Sequence, residues 1–397
     1  MKNDKPLFGA YFYPISSKCP IRNARAASLS LPAVPNECTL ALNATPLFEG
    51  HAQPQQYCID EALTTSWDDA DPATMKKHVA LARSHGIDFF IFDAYLGLKE
   101  GEVFHELKEC IDLGMLGQDL GDFKFAIMNV PASPRVILPM PKNLDKRLLD
   151  FYREERFYEV SKGSAEAIVD YNFKTYWNHP NYLHIDHRPV QALFIGDYRF
   201  ESPELERKRV LEFLKHFKEY SVSKHGVKPY VIGVLVNSLD FIEECVEAEL
   251  DALTGYGLLA YFEKFESNIQ RYSDLVRRRI EDWPLIQEMT NGIPFIPPIV
   301  PGFDSSPRGE RNTRIEEVAG RYPFTPVVVD PSPEMFAKMM AAAKEFKDRS
   351  QLSQPPIYLF STWNEITEGM ALLPKVKDGR PDLTLLETVQ HFKRTFE

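Results

Sequence analysis

The sequence has no long hydrophobic run and no concentration of positive charge, and both absences exclude classes of protein. No stretch of about 18 apolar residues occurs, so we expect no membrane-spanning helix. Residues 1–6 lack the apolar core of a signal peptide, so we expect a cytoplasmic protein, with a processed exported form as the alternative. The formal net charge is −11 without a basic block, which argues against nucleic acid as a partner.

Motifs for disulfides, metals and nucleotides are also missing. Five cysteines occur without a CxxC pair, which is typical of free thiols, although one disulfide among the three N-terminal cysteines stays open. His184 and His187 have no further ligand pattern around them, so we expect neither a metal nor another cofactor. Residues 255–260 fit G-x-G-x-x-A, but they follow the sixth predicted strand, whereas a dinucleotide site follows the first.

Apolar runs and amphipathic stretches alternate along the whole chain. The runs predict strands at 7–13, 87–92, 123–128, 190–195, 229–236, 250–254, 294–300 and 357–360. The amphipathic stretches predict helices near 72–84, 102–113, 164–177, 204–224, 241–248, 258–279, 333–347 and 383–396. Eight strands separated by helices indicate parallel βαβ units, and eight strands close a (β/α)₈ TIM barrel. We therefore predict an α/β fold in one domain, 1–397, with a doubly wound sheet as the alternative.

Two long connections interrupt this alternation, at about 16–71 and 131–163. Loops of this length inside a compact domain are usually functional or disordered. Each follows a predicted strand, so each would lie at the carboxyl-terminal face of a barrel. We expect residues 16–71 to fold over this face and restrict a cleft.

The most informative stretch is Trp-Asn-Glu-Ile-Thr-Glu-Gly at 363–369, directly after the eighth predicted strand. Residues three apart on a strand point to opposite faces, so Glu365 and Glu368 can serve one pocket only if the chain bends. Gly369 permits such a bend. Barrel enzymes keep catalytic groups at strand ends, and paired carboxyl groups carry out glycoside hydrolysis. The structural alternative is that these carboxylates cap the following helix.

Other predicted strands also end in polar or aromatic side chains, which would surround the same pocket. These residues are Tyr11, Tyr13, Asp93, Tyr95, Asn129, Asp197, Tyr198, Asn237, Tyr256 and Asp304. We select as substrate-binding candidates Tyr11, Tyr13, Asp93, Asn129, Tyr256 and Asp304, together with Trp363, Asn364 and Arg308. Asp304 and Arg308 could alternatively hold an ordered turn.

Five stretches resemble those of the glycoside hydrolase family 99-like group, which includes endo-α-mannosidases and proteins named WbsX-type glycosyltransferases. They are the Gly-Ala-Tyr-Phe-Tyr-Pro strand at 9–14, the helix and strand at 80–93, Tyr-Leu-His-Ile-Asp-His-Arg-Pro-Val at 182–190, Pro-Gly-Phe-Asp-Ser-Ser-Pro-Arg at 301–308, and 363–369. The chain departs from the family signature at Ile366 and Thr367. The resemblance implies a TIM barrel and a retaining hydrolase of a mannose-type glycan.

The resemblance also implies roles for the two glutamates. Glu365 would deprotonate the sugar 2-hydroxyl to give a 1,2-anhydro intermediate, and Glu368 would act as general acid and then base. Tyr256 would lie near the reacting sugar. Because adjacent carboxylates repel, we expect one raised pKa and assign it to Glu368.

The expected partner is an oligosaccharide or polysaccharide, and the sequence predicts no particular oligomeric state. Two alternatives for function stay open. One is a glycosyltransferase of surface polysaccharide synthesis, and the other is a carbohydrate-binding barrel without catalysis.

Overall fold

The computed structural model describes residues 5–18, 20–31, 34, 36–135, 137–154, 157–196, 198, 202–236, 239–318 and 320–397, with only the backbone at 21 and 152–154. Its strands are β1 (Leu7–Phe12), β2 (Phe89–Lys99), β3 (Glu102–Glu106), β4 (Lys124–Asn129), β5 (His184–Ile185), β6 (Arg188–Ile195), β7 (Tyr230–Leu235), β8 (Ala252–Gly255), β9 (Ile269–Arg271), β10 (Phe295–Ile296), β11 (Pro298–Ile299), β12 (Val327–Val329), β13 (Ile357–Phe360), β14 (Lys375–Lys377) and β15 (Arg380–Asp382).

The helices alternate with these strands. They are α1 (Pro20–Ser28), α2 (Cys38–Leu42), α3 (Pro72–Ser84), α4 (Lys146–Glu154), α5 (Lys162–Asn172), α6 (Pro203–His225), α7 (Ile242–Glu247), α8 (Tyr272–Met289), α9 (Pro333–Arg349) and α10 (Thr384–Arg394). In the described residues, no helix is both long and apolar enough to cross a bilayer.

The main sheet is a closed wall of parallel strands. In the described chain its order is β10-β8-β7-β6-β4-β2-β1-β13-β11. β10 pairs with β8 and β11 pairs with β13, on either side of Pro297. The two segments are halves of one strand, interrupted because proline lacks the N–H that a sheet ladder needs. The predicted eight-stranded TIM barrel is therefore confirmed, and the doubly wound alternative is wrong.

All eight barrel strands coincide with runs predicted from the sequence. The helices that follow have the expected start and stop signals. α3 begins at Pro72, and the Asp71 carboxylate accepts a 3.0 Å hydrogen bond from the Ala73 N–H. α6 begins after Ser202 and ends at Gly226, whose φ is +67°.

Two predicted helices are wrong in part. Residues 102–106 form β3, which pairs antiparallel with β2. Glu100 and Gly101 have φ of +51° and +79°, and two consecutive positive φ values give the tight turn that joins hairpin strands. A π-helical turn follows at Cys110–Met115. The helix predicted at 258–279 begins only at Tyr272, because residues 269–271 form β9 against β12.

The two long connections contain helices and lie against the rest of the barrel. Residues 16–71 include α1 and α2, and the segment closes on itself where the Ser16 N–H donates a 2.8 Å hydrogen bond to Asp69 Oδ2. Residues 131–163 include α4. Met140 in this second segment forms a β-bridge with Gly309. His51 of the first segment lies 2.8 Å from Asp304 Oδ2, so both connections reach the loops at the carboxyl ends of the strands.

Candidate active site

The chain bends sharply after β13, as the two carboxylates require. Ile366–Glu368 form a 3₁₀ turn, and Gly369 follows with φ of +63°. The Asp304 N–H donates a 2.6 Å hydrogen bond to the Glu368 carbonyl. A Cβ at position 369 would lie 2.9 Å from that Asp304 nitrogen, so both the φ value and the close approach require glycine. The bend brings Glu365 and Glu368 to the same cavity.

This cavity has a volume of about 730 Å³ at the carboxyl ends of the strands. Six of the candidates line it: Tyr13, Asp93, Tyr256, Arg308, Glu365 and Glu368. The cavity is also lined by residues that are not among the substrate-binding candidates: Tyr95, Arg135, Phe194, Phe265, Phe303, Arg321 and Tyr322. Aromatic faces beside polar groups suit the apolar and hydroxyl faces of a sugar ring.

Arg308 joins the two glutamates. Its Nη1 donates to Glu368 Oε1, and its Nη2 donates to Glu365 Oε1 at 3.1 Å. Its Nε donates to Glu37 Oε1 at 2.6 Å. The turn at 304–308 is not held by a described Asp304–Arg308 pair, because Arg308 is bonded to three glutamates and Asp304 Oδ1 accepts a 3.1 Å hydrogen bond from the Ser306 N–H. Arg308 also lines the cavity, so its contact with substrate stays a prediction.

Glu365 lies in a hydrogen-bonded but strongly desolvated position. Its Oε2 accepts a 2.8 Å hydrogen bond from the Tyr256 hydroxyl. Burial, and then the negative charge of Glu368, raise the pKa of Glu365 to about 8, against the opposing effects of Arg308 and Tyr256. We predicted the raised pKa at Glu368. That assignment is wrong, because the raised pKa is that of Glu365, where loss of hydration outweighs the two hydrogen-bond donors.

The Glu368 side chain is held from one side. Its Oε1 accepts hydrogen bonds from Arg308 Nη1 and, at 2.7 Å, from the Tyr322 hydroxyl. The Arg135 guanidinium lies 4.4 Å from the centre of the Tyr322 ring. Both hydrogen bonds that the structure describes for this carboxyl end on Oε1, so Oε2 is the oxygen available to a ligand.

Asp93 presents a carboxyl group with spare hydrogen-bonding capacity. It is 6% exposed, and its Oδ1 is buried without a hydrogen-bond partner in the described chain. Burial, followed by the negative charges of Glu365 and Glu368, raises the pKa of Asp93 well above its usual value. A protonated Asp93 could both donate to and accept from a sugar hydroxyl.

Glu37 is a charged member of this site that lies in no motif recognised in the sequence. It is fully buried, and its Oε2 accepts a 2.5 Å hydrogen bond from the Tyr13 hydroxyl. Burial acts to raise its pKa, but Arg308 and Arg22 outweigh burial and lower it. Glu37 is therefore an ionised carboxylate behind Arg308. Its only sequence signal is its position in the long connection after β1.

Two residues of the signature lie outside the cavity and support it. The Trp363 indole N–H donates a 3.0 Å hydrogen bond to His78 Nδ1, and the ring packs on Phe90. Asn364 accepts from the Tyr13 N–H at 2.9 Å and donates to the Tyr13 carbonyl at 2.7 Å. Trp363 therefore fixes the strand end on α3, and Asn364 joins the ends of β13 and β1.

Three further candidates also lie outside the cavity lining. Asn129 Oδ1 accepts from Gln191 Nε2 at 2.8 Å and from Asn172 Nδ2 at 3.1 Å inside the barrel. Asp304 Oδ2 is bonded to His51 and Gln53 at 2.8 and 2.6 Å. Tyr11 is 1% exposed, and its ring centre lies 5.2 Å from that of Tyr256.

The remaining strand-end residues divide between the cavity, its surroundings and the undescribed positions. Tyr95 lines the cavity, whereas Tyr198 donates to the Phe194 carbonyl at 3.1 Å and lies outside the lining. Asp197 and Asn237 lie outside the residues that the structure describes.

The weaker sequence motifs gain no support as ligand sites. Gly255 ends β8, and the next helix begins only at Tyr272, so residues 255–260 lack the helix N-terminus that a dinucleotide site uses. His184 lies in the β5–β6 hairpin. In the part of the chain that is described, no three His, Cys, Asp or Glu side chains converge as a metal site would need.

Fold and site together define a TIM barrel with a buried carboxylate pair at the end of its eighth strand. The fold is similar to that of the GH99 endo-α-mannosidase from Bacteroides thetaiotaomicron in complex with BIS-TRIS-propane, with a TM-score of 0.59, 14% identity, and coverage of 98% of this chain and 97% of that one. A second structure of that enzyme gives a TM-score of 0.58 at 13% identity, with coverage of 98% and 97%.

A structure described as a glycoside hydrolase-like protein gives a TM-score of 0.56 at 13% identity, with coverage of 99% of this chain and 95% of that one. No protein-family model and no curated protein sequence matches the chain. The resemblance to family 99 drawn from the motifs is thus confirmed at the level of the fold.

Proposed function

We propose that the protein is a retaining glycoside hydrolase that acts on a mannose-type oligosaccharide or polysaccharide. The observation that carries this proposal is the pair of buried glutamates joined by Arg308 at the wall of a cavity large enough for sugar residues. Two carboxyl groups with different environments are the requirement for acid and base roles at one glycosidic bond. The fold similarity to endo-α-mannosidase structures supports the choice of substrate.

Glu365 acts as the base in this proposal. Each of its oxygens accepts one hydrogen bond, from Arg308 or from Tyr256, which orients the group as a proton acceptor. It takes the proton of the sugar 2-hydroxyl, and O2 attacks C1 as the bond from C1 to the leaving oxygen breaks. A carboxylate with a pKa near 8 is a stronger base than an exposed one, so it suits a weakly acidic hydroxyl.

Glu368 acts as the acid and then as the base. Its Oε1 is occupied by Arg308 and Tyr322, which leaves Oε2 to protonate the leaving oxygen. In the second step Glu368 takes a proton from water, the water oxygen attacks C1, and the C1–O2 bond breaks. Glu365 returns its proton to O2, so two inversions at C1 give net retention.

The test is incubation of the purified protein with α-linked mannose oligosaccharides and α-mannan. Reducing ends are assayed, and the first-formed product is examined by proton NMR. We expect hydrolysis with retained anomeric configuration. An inverted product, or no cleavage of any mannose glycan, would contradict the proposal. Consumption of a nucleotide-sugar donor with glycan elongation would favour a transferase.

Variants separate the roles of the two glutamates. Glu365→Gln should lower kcat/KM on the order of a hundredfold or more on every substrate, because the 2-hydroxyl always needs a base. Glu368→Gln should lose least on an aryl mannoside whose leaving group needs no proton. The matched control is Glu310→Gln, which changes an exposed glutamate and should keep the parent rate. Equal sensitivity of both active-site variants to the leaving group would contradict the assigned roles.

A further inference from the structure

Glu37 lies behind the active site and is not one of the residues that line the cavity. It immediately precedes α2 in the connection at 16–71. Its carboxylate is fully buried and bonded to Arg308, which in turn holds both active-site glutamates. We propose that Glu37 is a positioning residue, which fixes the Arg308 guanidinium so that its two terminal nitrogens keep the Glu365 and Glu368 carboxyl groups in their orientation. This proposal rests on the proposed function.

The geometry of the guanidinium carries the first step. Each nitrogen has a different carboxylate: Nε has Glu37, Nη1 has Glu368 and Nη2 has Glu365. The group is planar and its N–H directions are fixed relative to one another. A short bond at Nε therefore sets the direction of both Nη atoms. Without Glu37, rotation about the Nε end would move the two donors away from the glutamates.

Glu37 is itself fixed from several elements. The Tyr13 hydroxyl at the end of β1 donates to Oε2 at 2.5 Å, and Arg22 of α1 lies 3.9 Å from the same oxygen. The Thr367 hydroxyl lies 3.2 Å from Glu37 Oε1 and 3.0 Å from Arg308 Nε. Thr367 belongs to the turn between the two active-site glutamates, so Glu37 contacts the arginine and the turn together.

The charges around Glu37 make the arrangement testable. The titratable groups that influence it or are influenced by it are Tyr13, Arg22, Cys38, Tyr95, Arg308 and Glu365. The negative charge of Glu37 is one of the causes that raise the pKa of Glu365. Movement of Arg308 Nη2 away from Glu365 would raise the pKa of Glu365, whereas loss of the Glu37 charge alone would lower it.

The experiment compares Glu37→Gln, Glu37→Asp and a control. Asp69→Asn serves as the control because it also neutralises a fully buried carboxylate of the same connection, bonded to the Ser16 N–H and the Trp67 indole. The first readout needs no substrate. Glutamate carboxyl carbons are labelled with ¹³C, and the Glu365 signal, assigned with Glu365→Gln, is titrated by NMR in each protein. The second readout is kcat and KM separately.

Glu37→Gln removes the charge but keeps the side-chain length and an oxygen that can accept from Arg308 Nε, so the Glu365 titration should move to lower pH. Glu37→Asp keeps the charge but draws the carboxylate back from Arg308, so the Glu365 titration should move to higher pH as Arg308 Nη2 moves away from it. In Glu37→Asp we expect kcat to fall on the order of tenfold to a hundredfold with KM little changed, because Glu37 does not touch the cavity and misplacement acts on the chemical step. Asp69→Asn should leave the Glu365 titration in place.

A parent-like Glu365 titration and a parent-like kcat in folded Glu37→Asp would overturn the proposal. If that variant does not fold, an unchanged Glu365 titration in Glu37→Gln would overturn it. A raised Glu365 titration in Glu37→Asp, in a protein without activity on any mannose glycan, would support the positioning role and contradict the proposed function. The two failures are therefore distinguishable.

Discussion

The Tyr256 hydroxyl donates a 2.8 Å hydrogen bond to Glu365 Oε2. A donor to the ionised form lowers the pKa of a carboxyl group, so Tyr256→Phe should raise the pKa of Glu365 above its value of about 8. Since the base must be ionised, the acidic limb of the kcat/KM profile should lie near pH 8 in the parent protein and at higher pH in the variant. Below pH 8 we expect kcat/KM of Tyr256→Phe to be lower than that of the parent by on the order of tenfold. The measurement is kcat/KM between pH 5 and 10.

The matched control for this profile is Tyr261→Phe. The Tyr261 hydroxyl is buried without a hydrogen-bond partner in the described chain, and the residue is not one of those that line the cavity. Its profile should coincide with that of the parent protein. A Tyr256→Phe profile with the same acidic limb as the parent would show that the hydrogen bond does not control Glu365.

Folding stability should also depend on Glu365. The pKa rises from 4.5 to about 8 on folding, so between these values the folded protein binds more protons than the unfolded chain. The stabilisation is fully present below about pH 4.5 and is lost as pH rises through 8. Glu365→Gln removes this dependence and should unfold at a higher temperature than the parent at pH 8 to 9. Melting temperatures from pH 5 to 9 would test this, with Glu310→Gln expected to follow the parent curve.

Gly369 permits a comparison of strain with contact. Gly369→Ala combines a φ of +63° with a Cβ only 2.9 Å from the Asp304 nitrogen. Gly379→Ala has a φ of +71° with no atom within 4 Å of the new Cβ. Backbone strain should lower the free energy of unfolding of both variants by on the order of 1 kcal/mol. Only Gly369→Ala should also lose kcat, on the order of tenfold, because the Asp304 contact displaces Glu368. Equal kcat in both variants would contradict this view of the turn.

Chelation should leave the activity unchanged. The proposed reaction uses only carboxyl groups, and no three potential ligand side chains converge in the described residues. The measurement is the rate after extended dialysis against EDTA, compared with a sample dialysed against buffer. Loss of activity that one added divalent ion restores would require a revised mechanism.

The sequence predicted the barrel well because its strands are local features. The second predicted strand, 87–92, contains Phe-Phe-Ile-Phe at 89–92, a run of aromatic and β-branched residues that needs no partner to be recognised. The sequence predicts a helix near 102–113 in place of the hairpin, because Glu100-Gly101 is a weaker turn signal than Asn-Gly or Asp-Gly. Glu365 and Glu368 could be selected because both lie in one short motif.

The rest of the site depends on contacts that no local pattern contains. Glu37 meets Arg308 across 271 residues, and Tyr322 meets Glu368 across 46. Asn129 shows the converse. It ends a barrel strand as predicted, but its amide is bonded to Gln191 and Asn172 inside the barrel. The end of a strand is fixed by sequence pattern, whereas the group that its side chain meets depends on the twist and packing of the closed sheet.

The pairing of Asn364 with both backbone groups of Tyr13 has a consequence for biosynthesis. The same turn that joins the last barrel strand to the first also carries Glu365 and Glu368. A ribosome-bound chain that has not yet released residues beyond 356 contains most of the cavity wall but neither glutamate. Because this closure joins residues about 350 positions apart, it is expected late in folding. Catalytic competence therefore arises in the same event that completes the barrel, and a prematurely terminated translation product would be inert.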